Sequence, residues 1–414
     1  MITWIRGKKE RNKYFLGFLI DYMVKTHLYV FGIFKILEPV KLEFNTKCVH
    51  YQQPPDSESG SVIPPLSLST TFDQSAQSEL KYFYGRGENP TREQLEHCLA
   101  GIEGSGKALT YSSGQAAANA VLDLLKPGDE FISSDDVYGG TLGLFDLAKS
   151  SRKLIYQQVD TSNYDELEAS INSQTKLIWI ESPTNPMLKV TDIQRVCDLA
   201  SRHGIKVLVD NTFCTPYLQT CMDLGADFVL YSTSKFISGH GDAIGGALVC
   251  KDEYFNTLFS NRTVTGAIPS PFDCYIIHRG IKTLGLRLDK QCENAKLIAE
   301  FLKQSNKVGK IYYPGLDCHP QYELASRQMR KSGALISFEY HGNVEKLLHG
   351  LSLFHCAVSL GTVFSLIECP ALMTHRNIPR SLKVKLGLND NLIRLAIGIE
   401  DPDDLIQDLT PFFS

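Results

Sequence analysis

Three short apolar runs constrain this chain more than any other feature. They are "KLIWIES" (176–182), "KVLVDNTF" (206–213) and "DFVLYSTSK" (227–235). Each is too short for a helix, is apolar without alternation, and closes on polar residues. A helical stretch, "DIQRVCDLASRHG" (192–204), separates the first two. Continuous apolar strands alternating with helices predict a mostly parallel sheet covered on both faces. Ligands of such sheets bind beyond the carboxyl ends of the strands. The polar residues closing the runs, 181–185, 210–212 and 232–235, are therefore expected to share one rim.

Further helices are expected at "REQLEHCLAGIEG" (92–104) and "GQAAANAVLDLL" (114–125). Beyond residue 285 the texture changes to an amphipathic helix, "QCENAKLIAEFLKQ", a strand, "GALISFEY", and a closing helix from "DPDDLIQDL". We divide the chain into an atypical extension (1–44), an irregular Pro- and Ser-rich arm (45–83), a large domain (84–284) and a smaller α+β domain (285–414).

The extension starts basic and turns apolar, but Asp21, Lys25, His27 and Lys35 interrupt the apolar run. No membrane span of about 20 residues results, and there is no small-residue cleavage pattern. A peripheral helix and a mitochondrial address both stay open. A formal net charge of −4 gives no electrostatic footprint for nucleic acid. The 11 cysteines are scattered, odd in number and without a CxxC pair. That pattern speaks against both a disulfide framework and a zinc site, and for a reducing, cytoplasmic setting. Cys214 and Cys221 are expected to be buried filler.

The rim residues carry the chemistry. In "SSGQAAANAV", Ser113, Gly114 and Gln115 fall at a helix start, where free N–H groups and the helix dipole favour an anion. Asp210 ends a strand, with Thr212 beyond it; its carboxylate pairs a cationic nitrogen or caps the next turn. Ser232 and Ser234 offer hydroxyls, and Lys235 an amine nucleophile. Taken singly each has an ordinary structural explanation: a cap, a turn, a polar loop. Together they form the set that pyridoxal phosphate requires: an amine for its aldehyde, a carboxylate for its ring nitrogen, and a helix N-terminus with hydroxyls for its phosphate. No metal is expected.

The stretches "YGRGENPTR", "SSGQAA", "DDVYGGT", "ESPTNP", "VDNTF", "YSTSKFISGHGD", "RGIKTL" and "LIRLAIGIEDPDDLI" follow one another over about residues 45 to 414. In these the chain resembles the Cys/Met-metabolism family of pyridoxal-phosphate enzymes. The resemblance implies an α/β fold of the aspartate-aminotransferase type (fold type I), with a mostly parallel central sheet and a smaller C-terminal α+β domain. It also implies a homodimer or homotetramer, with Lys235 the covalent anchor and proton carrier, Asp210 the ring-nitrogen partner, and Tyr138 a second catalytic residue, stacked on the ring and assisting proton transfer or the leaving group. Gly114, Gln115, Ser232 and Ser234 then form the phosphate cup, and Thr212 is a further cofactor contact. Tyr84 and Arg86 reach the phosphate of the neighbouring subunit. Asn185 and Arg394 hold the substrate α-carboxylate, and Val358 and Ser359 border the substrate.

The resemblance also frames substrate choice. Val358 precedes Ser359 where many γ-lyases and γ-synthases of the family carry Glu, and Gly143 stands where animal cystathionine γ-lyases place Arg. Both changes make the distal pocket less polar. Gly140, however, replaces the Cys of many bacterial methionine γ-lyases. The expectation is a carbon–sulfur lyase performing α,γ-elimination on L-cystathionine, L-methionine or L-homocysteine. Cystathionine β-lyase, cystathionine γ-synthase and a catalytically silent scaffold are the alternatives.

Overall fold

The structure is a computed structural model and describes residues 42–75, 81–376, 383 and 386–414. The sequence reading of the extension falls, up to residue 41, outside the described residues. Phe44–Ser414 forms one unit and is described by itself.

Seven strands make its larger sheet: β1 (Lys107–Tyr111), β2 (Glu130–Ser134), β3 (Ile155–Val159), β4 (Thr175–Glu181), β5 (Lys206–Asp210), β6 (Phe228–Tyr231) and β7 (Gly246–Cys250). Their order is β1-β7-β6-β5-β4-β2-β3. Only β7 runs antiparallel to its neighbours; the other pairings are parallel. The three apolar runs are β4, β5 and β6, adjacent in the middle of the sheet. Alternate residues go to opposite faces, and both faces are covered, which is why the runs show no polar alternation. Ile178, Ile180, Val207, Val209, Val229 and Tyr231 pack on one side. Leu177, Trp179, Leu208, Phe228 and Leu230 pack on the other. By the same period of two, Glu181 and Asp210 project to the second side, and the two are directly paired in the β4–β5 register. Helices Gly114–Leu122 and Gly139–Arg152 cover that side, through Ala117, Ala118 and Phe145.

The smaller sheet contains β8 (Val308–Tyr312), β9 (Leu335–Tyr340), β10 (His355–Cys356), β11 (Leu366–Glu368) and β12 (Leu392–Ala396), in the order β10-β11-β12-β9-β8. The 20-residue helix Leu284–Lys303 leads into it. Its buried Gln291 donates from Nε2 to the carbonyls of Thr362 (2.8 Å) and Ile397 (3.1 Å), fixing the loop after β10 against the end of β12. That loop meets the larger sheet at Gly361 (φ 80°), where a Cβ would lie 2.9 Å from the carbonyl carbon of Lys235. Only glycine permits both the left-handed backbone and this approach.

One expectation needs correction. The arm does not begin irregularly: Phe44–His50 is a helix whose Cys48 is buried against Leu95 and Cys98. Two turns with a single buried residue are too short for apolar periodicity to register. Cys214 and Cys221 are fully buried, as expected of filler. Among the described residues no helix is long and apolar enough to cross a membrane.

Candidate active site

A cavity of about 540 Å³ opens at the carboxyl ends of β4, β5 and β6. Ser113, Gly114, Gln115, Tyr138, Asn185, Asp210, Thr212, Ser232, Ser234, Lys235, Val358, Ser359 and Arg394 all line it. Tyr84 and Arg86 do not: Tyr84 is exposed, and Arg86 donates from Nη1 to Thr263 O at 2.6 Å.

Helix Gly114–Leu122 begins at the cavity wall. Its cap, Ser113, accepts the Ala116 N–H on its hydroxyl at 3.1 Å, leaving the earlier N–H groups of the first turn for a ligand. Gly114 lets the helix start pack closely on Ser232: a Cβ would lie 3.0 Å from Cβ of Ser232, tighter than ordinary contact. The Ser234 hydroxyl accepts the Gly245 N–H at 2.9 Å, and Thr212 Oγ1 accepts the Ser232 N–H at 2.9 Å. The cup is thus held by hydrogen bonds behind it.

Asp210 lines the same cavity and accepts the Thr212 N–H at 3.1 Å. Burial pushes its carboxyl up to about 6, opposed only by hydrogen bonds from Thr212. Among the described residues no cation offsets it, so a cationic ligand nitrogen would relieve a desolvated charge. Lys235 has the complementary environment. Burial first, and then the Arg394 charge, lower its amine to about 8 against the opposing pull of Glu368. Its Nζ donates to Ser359 Oγ at 2.5 Å. Ser359 sits at φ 97°, a conformation that costs a non-glycine residue about 1–3 kcal/mol and persists only where the surroundings impose it.

Arg394 Nη1 donates to Asn185 Oδ1 (2.8 Å) and Nη2 to Ser359 O (2.8 Å), while Glu368 pairs with it at 2.9 Å. Both ions are almost completely buried, at 2% and 1% side-chain exposure. Arg394 Nε has no partner among the described residues. The guanidinium is therefore fixed from behind yet keeps donor capacity, as a carboxylate clamp requires. Arg394 is the buried middle residue of β12. Val358, by contrast, is 53% exposed and borders the cavity mouth instead of packing in the core.

Sequence reasoning passed over Glu368 entirely. It ends the three-residue β11 opposite Arg394, a pairing that no local pattern announces.

An anion cradle at a helix start, a carboxylate without a cation and a weakly basic lysine around one cavity fit pyridoxal phosphate by charge. Residues 45–414 match the Cys/Met metabolism PLP-dependent enzyme family. The chain belongs to that family. It is 43% identical over 379 residues to the cystathionine gamma-lyase of Dictyostelium discoideum, covering 90% of this chain and 98% of that one. It is equally 43% identical, over 368 residues, to a cystathionine beta-lyase of Lactococcus lactis, covering 88% and 97%. Its fold is similar to that of the Micromonospora echinospora enzyme CalE6, a cystathionine gamma-lyase, with a TM-score of 0.87, 46% identity and coverage of 89% and 98%. The apo structure of that same enzyme describes it as a methionine gamma-lyase. These relatives share the fold family but differ in the activity named, gamma- or beta-lyase, and in the amino acid named, cystathionine or methionine.

Proposed function

We propose that this chain is a pyridoxal-phosphate-dependent carbon–sulfur lyase. It would convert L-cystathionine, L-methionine or L-homocysteine, with water, to 2-oxobutyrate, ammonia and the corresponding thiol. The observation carrying this reading is Lys235: a weakly basic amine held by Ser359, beside the Arg394 clamp and in the same cavity as Asp210, a carboxylate without a cation.

Bound at Lys235, pyridoxal phosphate supplies an aldehyde and a cationic ring that takes up electrons from the substrate Cα. The helix start at Gly114 and Gln115, with Ser232 and Ser234, would hold the phosphate. Asp210 would keep the ring nitrogen protonated, and Tyr138 would contact the ring. Arg394, steadied by Asn185 and Glu368, takes the substrate carboxylate and so points Cα–H at the amine. Lys235 in its neutral form removes the Cα proton and serves a second proton transfer at Cβ, after which the γ-thiol leaves.

The lowered basicity of Lys235 has a measurable consequence. Capture of pyridoxal phosphate by the cofactor-free protein needs the neutral amine, so its rate is expected to rise with pH and level off above about 8. Stopped-flow absorbance from pH 6 to 10 checks this; a profile still rising towards 10.5 would show an ordinary lysine.

A homodimer or homotetramer follows from the same reading. Tyr84 and Arg86 leave their own cavity, in a region where Phe83 (73% exposed) and Val264 (76%) present uncovered apolar surface. A second copy would cover that surface and receive the pair. Eleven free cysteines, with only Cys318 and Cys356 exposed, suit a cytoplasmic enzyme.

The Lactococcus relative keeps β-elimination as the second reading. Incubation with L-cystathionine and L-methionine, followed by identification of the keto acid, decides. 2-Oxobutyrate supports the γ-lyase, pyruvate from cystathionine replaces it with the β-lyase, and no keto acid without cofactor absorbance favours a silent scaffold. Gly143 does not itself line the cavity, but a Cβ there meets nothing within 4 Å, so the backbone leaves room for a side chain to start. Gly143→Arg is expected to raise the cystathionine-to-methionine ratio of kcat/KM about tenfold by adding a distal carboxylate partner. An unchanged ratio would exclude Gly143 from specificity.

A further inference from the structure

Glu181 has no role in the chemistry above, although it lines the cavity and is 4% exposed. A buried carboxyl at a strand end is unfavourable unless something requires its oxygens. The nearest charges make matters worse: burial raises its carboxyl well above the usual range, and Asp210 and Asp136 raise it further. What it receives is an N–H group. Glu181 Oε2 accepts the main-chain N–H of Tyr138 at 3.0 Å, across 43 residues of sequence. The loop carrying Asn185 starts directly after Glu181 at the end of β4, and Asn185 lines the same cavity. The N–H of Glu181 is tied to Ser134 Oγ at 3.2 Å, so the strand end is itself anchored.

The two loops meeting at this carboxyl carry different functions. Tyr138 is the N-cap of helix Gly139–Arg152 and makes no side-chain capping bond. Glu181 supplies from β4 the acceptor that a glutamate in the helix's own first turn supplies in a capping box. Asn185 orients Arg394 through its Oδ1.

We propose that Glu181 is a positioning residue that locks the Tyr138 loop and the Asn185 loop to one another, setting the aromatic cover of the cofactor and the carboxylate clamp together. The inference rests on the lyase reading for its substrate arm and only on cofactor binding for the other.

The test uses the full-length protein, wild type and Glu181→Ala, each also carrying Tyr138→Ala or Asn185→Ala. Absorbance titration of the cofactor-free forms gives Kd for pyridoxal phosphate, and keto-acid release from L-cystathionine gives KM and kcat. Glu181→Ala is expected to raise Kd about tenfold, and to do so much less once Tyr138 is alanine. It is expected to raise KM about tenfold, and much less once Asn185 is alanine. Glu181→Gln keeps one acceptor oxygen and should recover part of both effects. A lower Tm with unchanged Kd and KM, or losses that add fully to those of the second substitutions, would reduce Glu181 to a structural residue and overturn the proposal. If Glu181→Ala does not fold, the same cycles run with Glu181→Gln. A wild type that binds the cofactor but releases no keto acid would refute the lyase reading, and the Kd cycle alone would then decide Glu181.

Discussion

Lys235→Met is expected to stop keto-acid release and, at the same time, to stabilise the cofactor-free protein at neutral pH. Loss of a positioned general base alone removes about 10²–10⁴-fold in rate, before the lost covalent anchor is counted. The stability gain follows from the amine's environment. Its ordinary value of 10.5 falls to about 8 because burial, and then Arg394, disfavour the charged form. Between those values the unfolded chain binds the proton and the folded chain does not, so wild-type stability rises as pH goes from 8 to 10.5. Below 8 both states are charged and the folded state carries the whole penalty. Each tenfold loss of proton affinity is worth about 1.4 kcal/mol, so removing the charge gains at most about 3 kcal/mol at pH 7, and nothing above about 10.5. Methionine preserves most of the volume. Denaturant melts of cofactor-free wild type and variant at about pH 7 and pH 10 check this. A variant less stable than wild type at neutral pH, or a difference independent of pH, would mean that Lys235 is not held against its charge.

The central sheet and the cofactor half of the site were legible because they depend on local rules. A strand buried on both faces has to be continuously apolar, so β4, β5 and β6 were visible as runs, and their polar ends marked the rim where Asp210 and Lys235 now lie. Ser113 and Gly114 announced the helix start by capping chemistry. The substrate half was legible mainly through the family resemblance, because it is assembled by long-range pairing. Arg394 and Glu368 meet only because β11 and β12 pair antiparallel, and β11 has three residues. Ser359 reaches Lys235 across 124 residues, through a loop whose approach depends on Gly361. Glu181 stood among the expected rim residues, but its partner Tyr138 lies 43 residues away on another loop, and sequence spacing says nothing about which N–H group will reach it.

The second large effect is expected at Arg394. Breaking a buried ion pair from one side leaves the other charge desolvated and costs about 3–5 kcal/mol, whereas replacing both partners with apolar residues is often close to neutral. Arg394→Leu should therefore destabilise the protein strongly and abolish saturation by substrate. Arg394→Leu with Glu368→Leu should recover most of the stability and none of the activity. The pH dependence identifies the cause. Burial already holds Glu368 above its ordinary 4.5, against the opposing pull of Arg394, and losing that pull raises it further. From 4.5 up to the wild-type folded value both proteins lose stability in parallel; above it only the folded single variant still binds the Glu368 proton, so its deficit grows as pH climbs from there towards the new value. The double variant lacks this slope. Arg394 lowers Lys235 more than Glu368 raises it, so with both removed cofactor capture should still level off at a higher pH than in wild type. Were both variants equally destabilised with parallel pH profiles, Arg394 would be a packing residue, and the link between the substrate clamp and the basicity of the lysine would be lost with it.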